Sequence, residues 1–326
     1  MANKNFSLTR MLKNFLRIVL ILLVVFLGVF GAWAVWERNR EPLPALDTIA
    51  DDIKVVNSFT LRDSSIAGLR DYQTITLFSQ KSDTIRAIIS FPPRKIEQPL
   101  PVVTILGGLE IGRENFSFIP DPGDNILIIY MYPYSPEYWY EGHALQEVPR
   151  IRNGILSVPA QITELSRWVQ KQSWCDTSRV SLLGYSFGSL FLPAVERLAA
   201  RHNVRSGPMI LAYGGVDIEM LLYENLRVKP LWLRRFSAWL AATAIYTVDP
   251  LHHAPYMQGD IYIINGTEDS QIPDASWKKL QSLVPPPDKI DILPGAGHMH
   301  PRKPELTAKL VRMSRTWLKE KGVLNP

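Results

Sequence analysis

Residues 179–190 read RVSLLGYSFGSL, and the position of Ser186 between Gly184 and Gly188 decides how the rest of the chain is read. Arg179–Leu183 suits a strand, because Val180, Leu182 and Leu183 are apolar and a turn residue follows. Phe187–Ala200 (FGSLFLPAVERLAA) reads as a helix. A Gly-Tyr-Ser-Phe-Gly pentapeptide between strand and helix has the shape of a sharp turn that lifts a serine hydroxyl clear of a sheet. Glycines two before and two after the serine let the two backbones approach closely there. The same turn aims the N–H of Phe187 at the place where an oxyanion would develop.

A serine hydroxyl is a weak nucleophile until a base takes its proton. Of the six histidines, His298 is the expected base. It follows the expected strand Lys289–Leu293 in DILPGAGHMHP, where a Gly-Ala-Gly loop can carry the imidazole back over the sheet. His300 is the competitor; His143, His252 and His253 read as loop or packing residues. The acid that would fix the imidazole tautomer is expected at Asp269 in IYIINGTEDSQIP, just past the Ile261–Ile264 strand. Gly266 opens that turn and Pro273 closes it. Glu268 is adjacent, and Asp217, after the Met209–Tyr213 strand, is a second geometric option. Gly107-Gly108 directly follow the buried run Val102–Leu106, so Gly108 or Leu109 is placed to offer a second oxyanion N–H.

The surrounding pattern supplies the frame. Tyr72–Phe78 and Ile85–Phe91 read as a hairpin, while Val102–Leu106 and Ile126–Tyr130 are nearly continuous apolar runs, as in strands buried on both faces. Helices are expected over Gln146–Gln172, Ala275–Val284 and Leu306–Lys319. Strands alternating with helices predict an α/β fold with a mostly parallel sheet covered on both faces. Ligands in such sheets bind beyond the carboxyl ends of the strands, and each candidate residue falls at such an end.

Ser186, Asp269 and His298, in that chain order with a Gly-Gly loop upstream, resemble an α/β-hydrolase. The stretch CDTSRVSLLGYSFGS is similar to the strand and elbow of dienelactone hydrolase-like and prolyl oligopeptidase-like serine hydrolases, and the likeness covers roughly residues 70–322. One departure is the loop GGLEIG, which lacks the histidine that often opens the family's oxyanion motif. The resemblance implies hydrolysis through an acyl-enzyme, with neither metal nor organic cofactor. Carboxylic esters are the leading substrate class. A peptidase or amidase, an acyltransferase and a non-catalytic binding module on the same fold are the alternatives.

Residues 217–250 exceed a plain crossover and are expected to form a helical cap. Within them Leu226–Tyr246 mixes Arg227, Lys229, Arg234 and Arg235 with Trp232, Phe236 and Trp239, a pattern that suits either a cap or a membrane interface. The aromatic stretch Tyr130–Tyr140 (YMYPYSPEYWY) adds an apolar rim. Tyr134 in it and Tyr185 in the elbow are the expected substrate-contacting residues, and the substrate is expected to be a small-molecule or lipid-like ester.

Ile18 to Trp36 is nineteen residues without a charge, which as a helix spans roughly 28 Å, close to a bilayer core. Lys4, Arg10, Lys13 and Arg17 precede it with no acid and account for most of the net charge of +5. The basic balance is therefore terminal, and no nucleic-acid-binding module is present. The positive-inside rule puts residues 1–17 in the cytoplasm, 18–36 in the membrane and the remainder on the outer side, periplasmic if the cell is Gram-negative. Ala32-Trp33-Ala34 would suit a cleaved signal peptide; the bulky Trp33 and the length of the run favour a retained anchor. Residues 37–70 are read as a linker and lead-in, and 71–326 as the hydrolase domain. A single cysteine, Cys175, excludes an intramolecular disulfide and a thiolate cluster.

Overall fold

The computed structural model describes residues 2–50, 52–64, 68–108, 113–119, 121–134, 139, 143–300 and 304–325, apart from the side chains of 2–9, 113–115 and 144–145. It divides into two compact units, one ending at Arg40 and the other beginning at Glu41.

The first unit is a single helix, α1 (Ala2–Asn39). Within its segment Arg10–Asn39 an 18-residue window reaches a mean hydropathy of 2.9, and the segment is long and apolar enough to cross a membrane. Every residue from Ile18 to Leu27 is apolar and exposed. A helix that is apolar all round belongs in a protein interior or in lipid.

The second unit opens with α2 (Pro42–Leu46), β1 (Ile53–Asp63), β2 (Arg70–Ser79), β3 (Asp83–Phe91), β4 (Leu100–Leu106), β5 (Ile126–Met131) and α3 (Ala144–Gln170). It continues through β6 (Cys175–Tyr185), α4 (Leu192–Arg201), β7 (Met209–Ala212), α5 (Ile218–Asn225) and α6 (Leu231–Ala244). It ends with β8 (Ile261–Gly266), α7 (Asp274–Leu283), β9 (Lys289–Leu293) and α8 (Pro304–Glu320). The strands form one nine-stranded sheet in the order β1-β2-β3-β5-β4-β6-β7-β8-β9. Pairing is antiparallel from β1 to β5 and parallel from β5 to β9.

Alternate strand residues serve opposite faces. Val102, Leu106 and Leu182 pack with Val158, Ile162 and Leu165 of α3 and with Leu192 and Val195 of α4. Val103, Ile105 and Leu183 point the other way, toward Leu310, Trp317 and Leu318 of α8. Both faces are covered, which is why these strands are continuous apolar runs.

Three features differ from the sequence reading. The lead-in is part of the folded unit: Leu46 and Ile49 are buried, and buried Glu164 of α3 accepts hydrogen bonds from Ala50 N at 2.7 Å and Ser79 Oγ at 2.8 Å. β1 within it is an edge strand whose residues are almost all exposed, so no in-out alternation marks it. The helix after Ser186 is broken, with a 3₁₀ turn over Ser186–Leu190 before α4 begins. Pro193 lacks an amide hydrogen and stands in the first turn of α4, where that hydrogen would have no intrahelical acceptor, so it suits a helix start. The third difference is the placing of α5 and α6. Ile218 and Ala242 join the core on the α3/α4 face, and Arg152 Nε of α3 donates to Ala244 O at 2.8 Å.

Glu196 of α4 is buried, near Arg197 and the backbone of Gln258. Burial raises its carboxyl to about 7, against an ordinary value of about 4.3. Between those values the folded state keeps a proton that the unfolded chain has released. The stability present at acid pH is therefore lost as pH rises through 7. Glu196→Gln is expected to flatten that slope, stabilising the unit at pH 8 relative to pH 5 by on the order of 2–3 kcal/mol. Thermal melts of both proteins at the two pH values check it, and parallel slopes would refute it.

Candidate active site

The turn after β6 is built by its glycines. A Cβ on Gly188 would lie 2.2 Å from Leu106 O, and one on Gly184 would lie 2.5 Å from Ser189 Cα. Any larger residue drives the 3₁₀ turn off the end of β4. Ser186 itself has φ +52°, in the left-handed region that non-glycine residues rarely occupy. Such strain is stored where a side chain has to be presented at one angle. Here it presents the hydroxyl at the carboxyl end of the sheet, beside the crossing point where the connections from β4 and β6 leave for different neighbours.

Ser186 Oγ lies 2.8 Å from His298 Nε2. His298 Nδ1 lies 2.8 Å and 3.0 Å from the two carboxylate oxygens of Asp269. Asp269 also accepts Gln271 N at 2.7 Å and Ile272 N at 2.9 Å. The two amide bonds hold the carboxylate and direct it at Nδ1. With Nδ1 donating to Asp269, Nε2 is left as the acceptor for the serine hydroxyl. The side chains of His298 and Asp269 are 7% and 1% exposed, so this chain of bonds is shielded from competing water.

The loops that carry the two residues are tied to each other. Glu268 N donates to Ala296 O at 3.0 Å and Thr267 N to Leu293 O at 3.1 Å; Gly295 N donates to Thr267 Oγ1 at 2.9 Å. The close approach requires Gly266, whose Cβ would sit 2.2 Å from Ala296 O.

Gly108 lies against the serine, since a Cβ on it would be 3.6 Å from Ser186 Cβ. Phe187 places its ring among Tyr132, Trp139 and Phe191, at centroid distances of 5.3, 5.9 and 4.9 Å. Tyr132 Oη donates to Gly107 O at 2.7 Å, fixing the Gly-Gly turn. Leu109 lies outside the described residues. Tyr185 lines the cavity beside Ser186, and its hydroxyl donates to Ser314 Oγ of α8 at 2.9 Å. Tyr134 packs its Cβ against Gly154 of α3 and is not among the cavity-lining residues described.

The competing residues fall elsewhere. Asp217 caps α5 by accepting Met220 N and is ion-paired with Lys279, and Glu268 is exposed. His253 is buried, its Nε2 2.7 Å from Thr247 O, and burial lowers it to about 4. Cys175 is buried with its thiol raised to about 12, chiefly by burial. His300 lies at the cavity, two residues past His298. Tyr213 was not singled out in the sequence. It has φ +57° at the end of β7, and its ring stands edge-on to that of His298 at 5.5 Å. Burial and the Asp269 charge raise its phenol to about 12, so it is neutral beside the imidazole. An aromatic residue at the carboxyl end of a strand was the available signal.

Ser186 and His298 stand at one end of a cavity of about 350 Å³ whose lining includes no described residue of α5 or α6. No protein-family model matches the chain, and no curated protein matches it significantly. Solved structures do. Acetyl xylan esterase 1 from Thermoanaerobacterium sp. JW/SL YS485 is similar with a TM-score of 0.63 at 13% identity, over 86% of this chain and 92% of that one. The fold is that of the α/β-hydrolases. The acetyl xylan esterase from Paenibacillus sp. R4 shares this hydrolase fold with a TM-score of 0.59 at 13% identity, covering 86% of this chain and 94% of its own. An S-formylglutathione hydrolase from Agrobacterium tumefaciens does so at 0.53 and 12% identity, over 82% and 99%. Within that fold the sheet, the elbow turn and the two stitched loops of this chain occupy the carboxyl edge of the parallel strands.

Proposed function

We propose that the protein is a membrane-anchored serine hydrolase that cleaves carboxylic esters. The observation that carries the reading is the hydrogen-bonded chain Ser186–His298–Asp269 at the carboxyl end of the sheet. In the first step Ser186 Oγ attacks the ester carbonyl carbon while His298 Nε2 takes its proton, and Asp269 stabilises the imidazolium that forms. The amides of Phe187 and Gly108 flank the position of the oxyanion. Collapse of the tetrahedral intermediate breaks the C–O bond, and Nε2 returns the proton to the departing alkoxide as an alcohol. Water, deprotonated by the same nitrogen, then attacks the acyl-serine; the C–Oγ bond breaks, Nε2 returns the proton to Ser186 Oγ, and the carboxylic acid leaves.

The apolar helix α1 with basic residues before it supports a retained anchor with its N-terminus in the cytoplasm and the catalytic unit outside. Leu231, Trp232 and Phe236 of α6 are exposed, Trp232 by 70%, beside Arg234 and Arg235. That combination favours contact with a lipid interface and hence a small or lipid-like ester as substrate.

The test is covalent. A fluorophosphonate probe applied to the full-length chain in membranes is expected to label one residue, Ser186, mapped by mass spectrometry, with p-nitrophenyl acetate turnover lost in parallel. A folded protein that takes no label, or takes it elsewhere with activity lost, ends this reading.

A further inference from the structure

The cavity that begins at Ser186 continues under the sheet. Its floor is Val103 and Ile105 of β4, Leu127 of β5 and Leu183 and Tyr185 of β6. The parallel register sets Ile105 beside Leu183 and Val103 beside Leu127, so these side chains share the face that looks at α8. Its roof is one stripe of that helix, Thr307, Val311, Ser314 and Leu318, at helical spacing. Phe118 and Ile119 close one side.

The crossover from β4 to β5 explains the space. It spans nineteen residues on the α8 side, yet among the described ones its helical content is a single six-residue 3₁₀ turn, Arg113–Phe118. A full crossover helix there would pack beside α8 and fill the groove; a short turn leaves it open. The walls are mainly apolar; of the polar side chains among them, Ser314 Oγ is already engaged by Tyr185, and Asn125 bonds to Pro122 O and Asn325 N. Charge returns at the far end, where Arg315 Nη2 meets Asp121 Oδ2 at 3.1 Å.

We propose that this channel holds a single saturated hydrocarbon chain of the ester, running from the scissile bond at Ser186 toward the Arg315–Asp121 pair, and that it selects chains of about ten to twelve carbons. The inference rests on the serine hydrolase reading and adds the substrate class. Two measures of the channel agree on the length. From Gly107 to Val103 the strand advances about 13 Å. From Thr307 to Leu318 the helix advances about 16 Å. An extended chain of C–C bonds advances roughly 1.3 Å per carbon, so about ten to twelve carbons fit.

The test uses the full-length chain in lipid nanodiscs with two series, p-nitrophenyl alkanoates and alkyl acetates, each with a variable arm of about two to sixteen carbons. In one series kcat/KM is expected to climb about fourfold per methylene to ten or twelve carbons and then fall. The series that responds tells whether the channel holds the acyl or the alcohol arm. Val311→Trp sets an indole across the roof. The native-to-variant ratio, in which partitioning into lipid cancels, is expected to be at least tenfold larger for ten carbons than for two.

Flat profiles in both series, with Ser186-dependent turnover of the two-carbon esters, overturn the channel and leave the hydrolase reading standing. Decanoate binding to the Ser186→Ala protein needs no turnover. A rise in Tm that Val311→Trp removes supports the channel even where no ester is cleaved. An equal response with and without that substitution overturns it.

Discussion

Ser186→Ala is expected to lower kcat for p-nitrophenyl acetate by about 10⁴–10⁶, and His298→Ala to do nearly the same. The reason lies in the geometry: Oγ and Nε2 are 2.8 Å apart and act in one proton transfer, so either loss removes the whole step. The double variant is then expected to be no slower than the worse single one, since the residual rate comes from the oxyanion donors and substrate binding alone. Asp269→Asn keeps the shape but presents an amide to Nδ1 and favours the wrong tautomer, at a cost of about 10⁴. Stopped assays on matched, fully folded preparations measure all four. Additive losses in the double variant, or native-like turnover by Ser186→Ala, would take the chemistry away from this trio.

Gly188→Ala is expected to cost about 3 kcal/mol or more, because the new methyl would meet backbone rather than a movable side chain. Leu106 O at 2.2 Å and Gly107 O at 2.7 Å both belong to the end of a central strand. Relief requires moving the elbow away from β4, which also moves Ser186 relative to Gly108. The variant should melt lower by roughly 6–12 °C and lose esterase turnover in the protein that remains folded. By contrast, alanine at Gly295, where the added Cβ meets nothing within 4 Å, carries only the strain of its φ of +69°. Equal melting temperatures for native and Gly188→Ala protein would show that the two backbones are not in contact.

The legible parts of this molecule were those where one residue type is demanded. Gly184 and Gly188 announce the elbow because a Cβ has no room, and the Gly266–Pro273 turn points to Asp269 because both ends are constrained. Ile126–Tyr130 and Val102–Leu106 read as strands because burial on both faces leaves an unbroken apolar run. β1 was not legible because an edge strand with exposed residues on both faces has no periodicity to read. The packing of the lead-in depends on Glu164, more than a hundred residues away in the chain, and such a pairing leaves no local trace. Tyr213 sits against His298 only through the meeting of β7 with a loop from the far end of the unit. The channel was hidden for another reason: among its described residues the β4–β5 crossover forms only a 3₁₀ turn, and a shortfall of packing has no motif.

The stitched loops give the site an unusual mechanical character. Thr267, Glu268 and Gly295 bind the acid's loop to the base's loop through three amide hydrogen bonds, while Ser186 stands apart on the rigid elbow. Local opening on that side thus breaks the bonds as one cooperative unit. On that footing His298 and Asp269 are expected to leave and return together. In amide-exchange terms, those three N–H groups are expected to share a single protection factor.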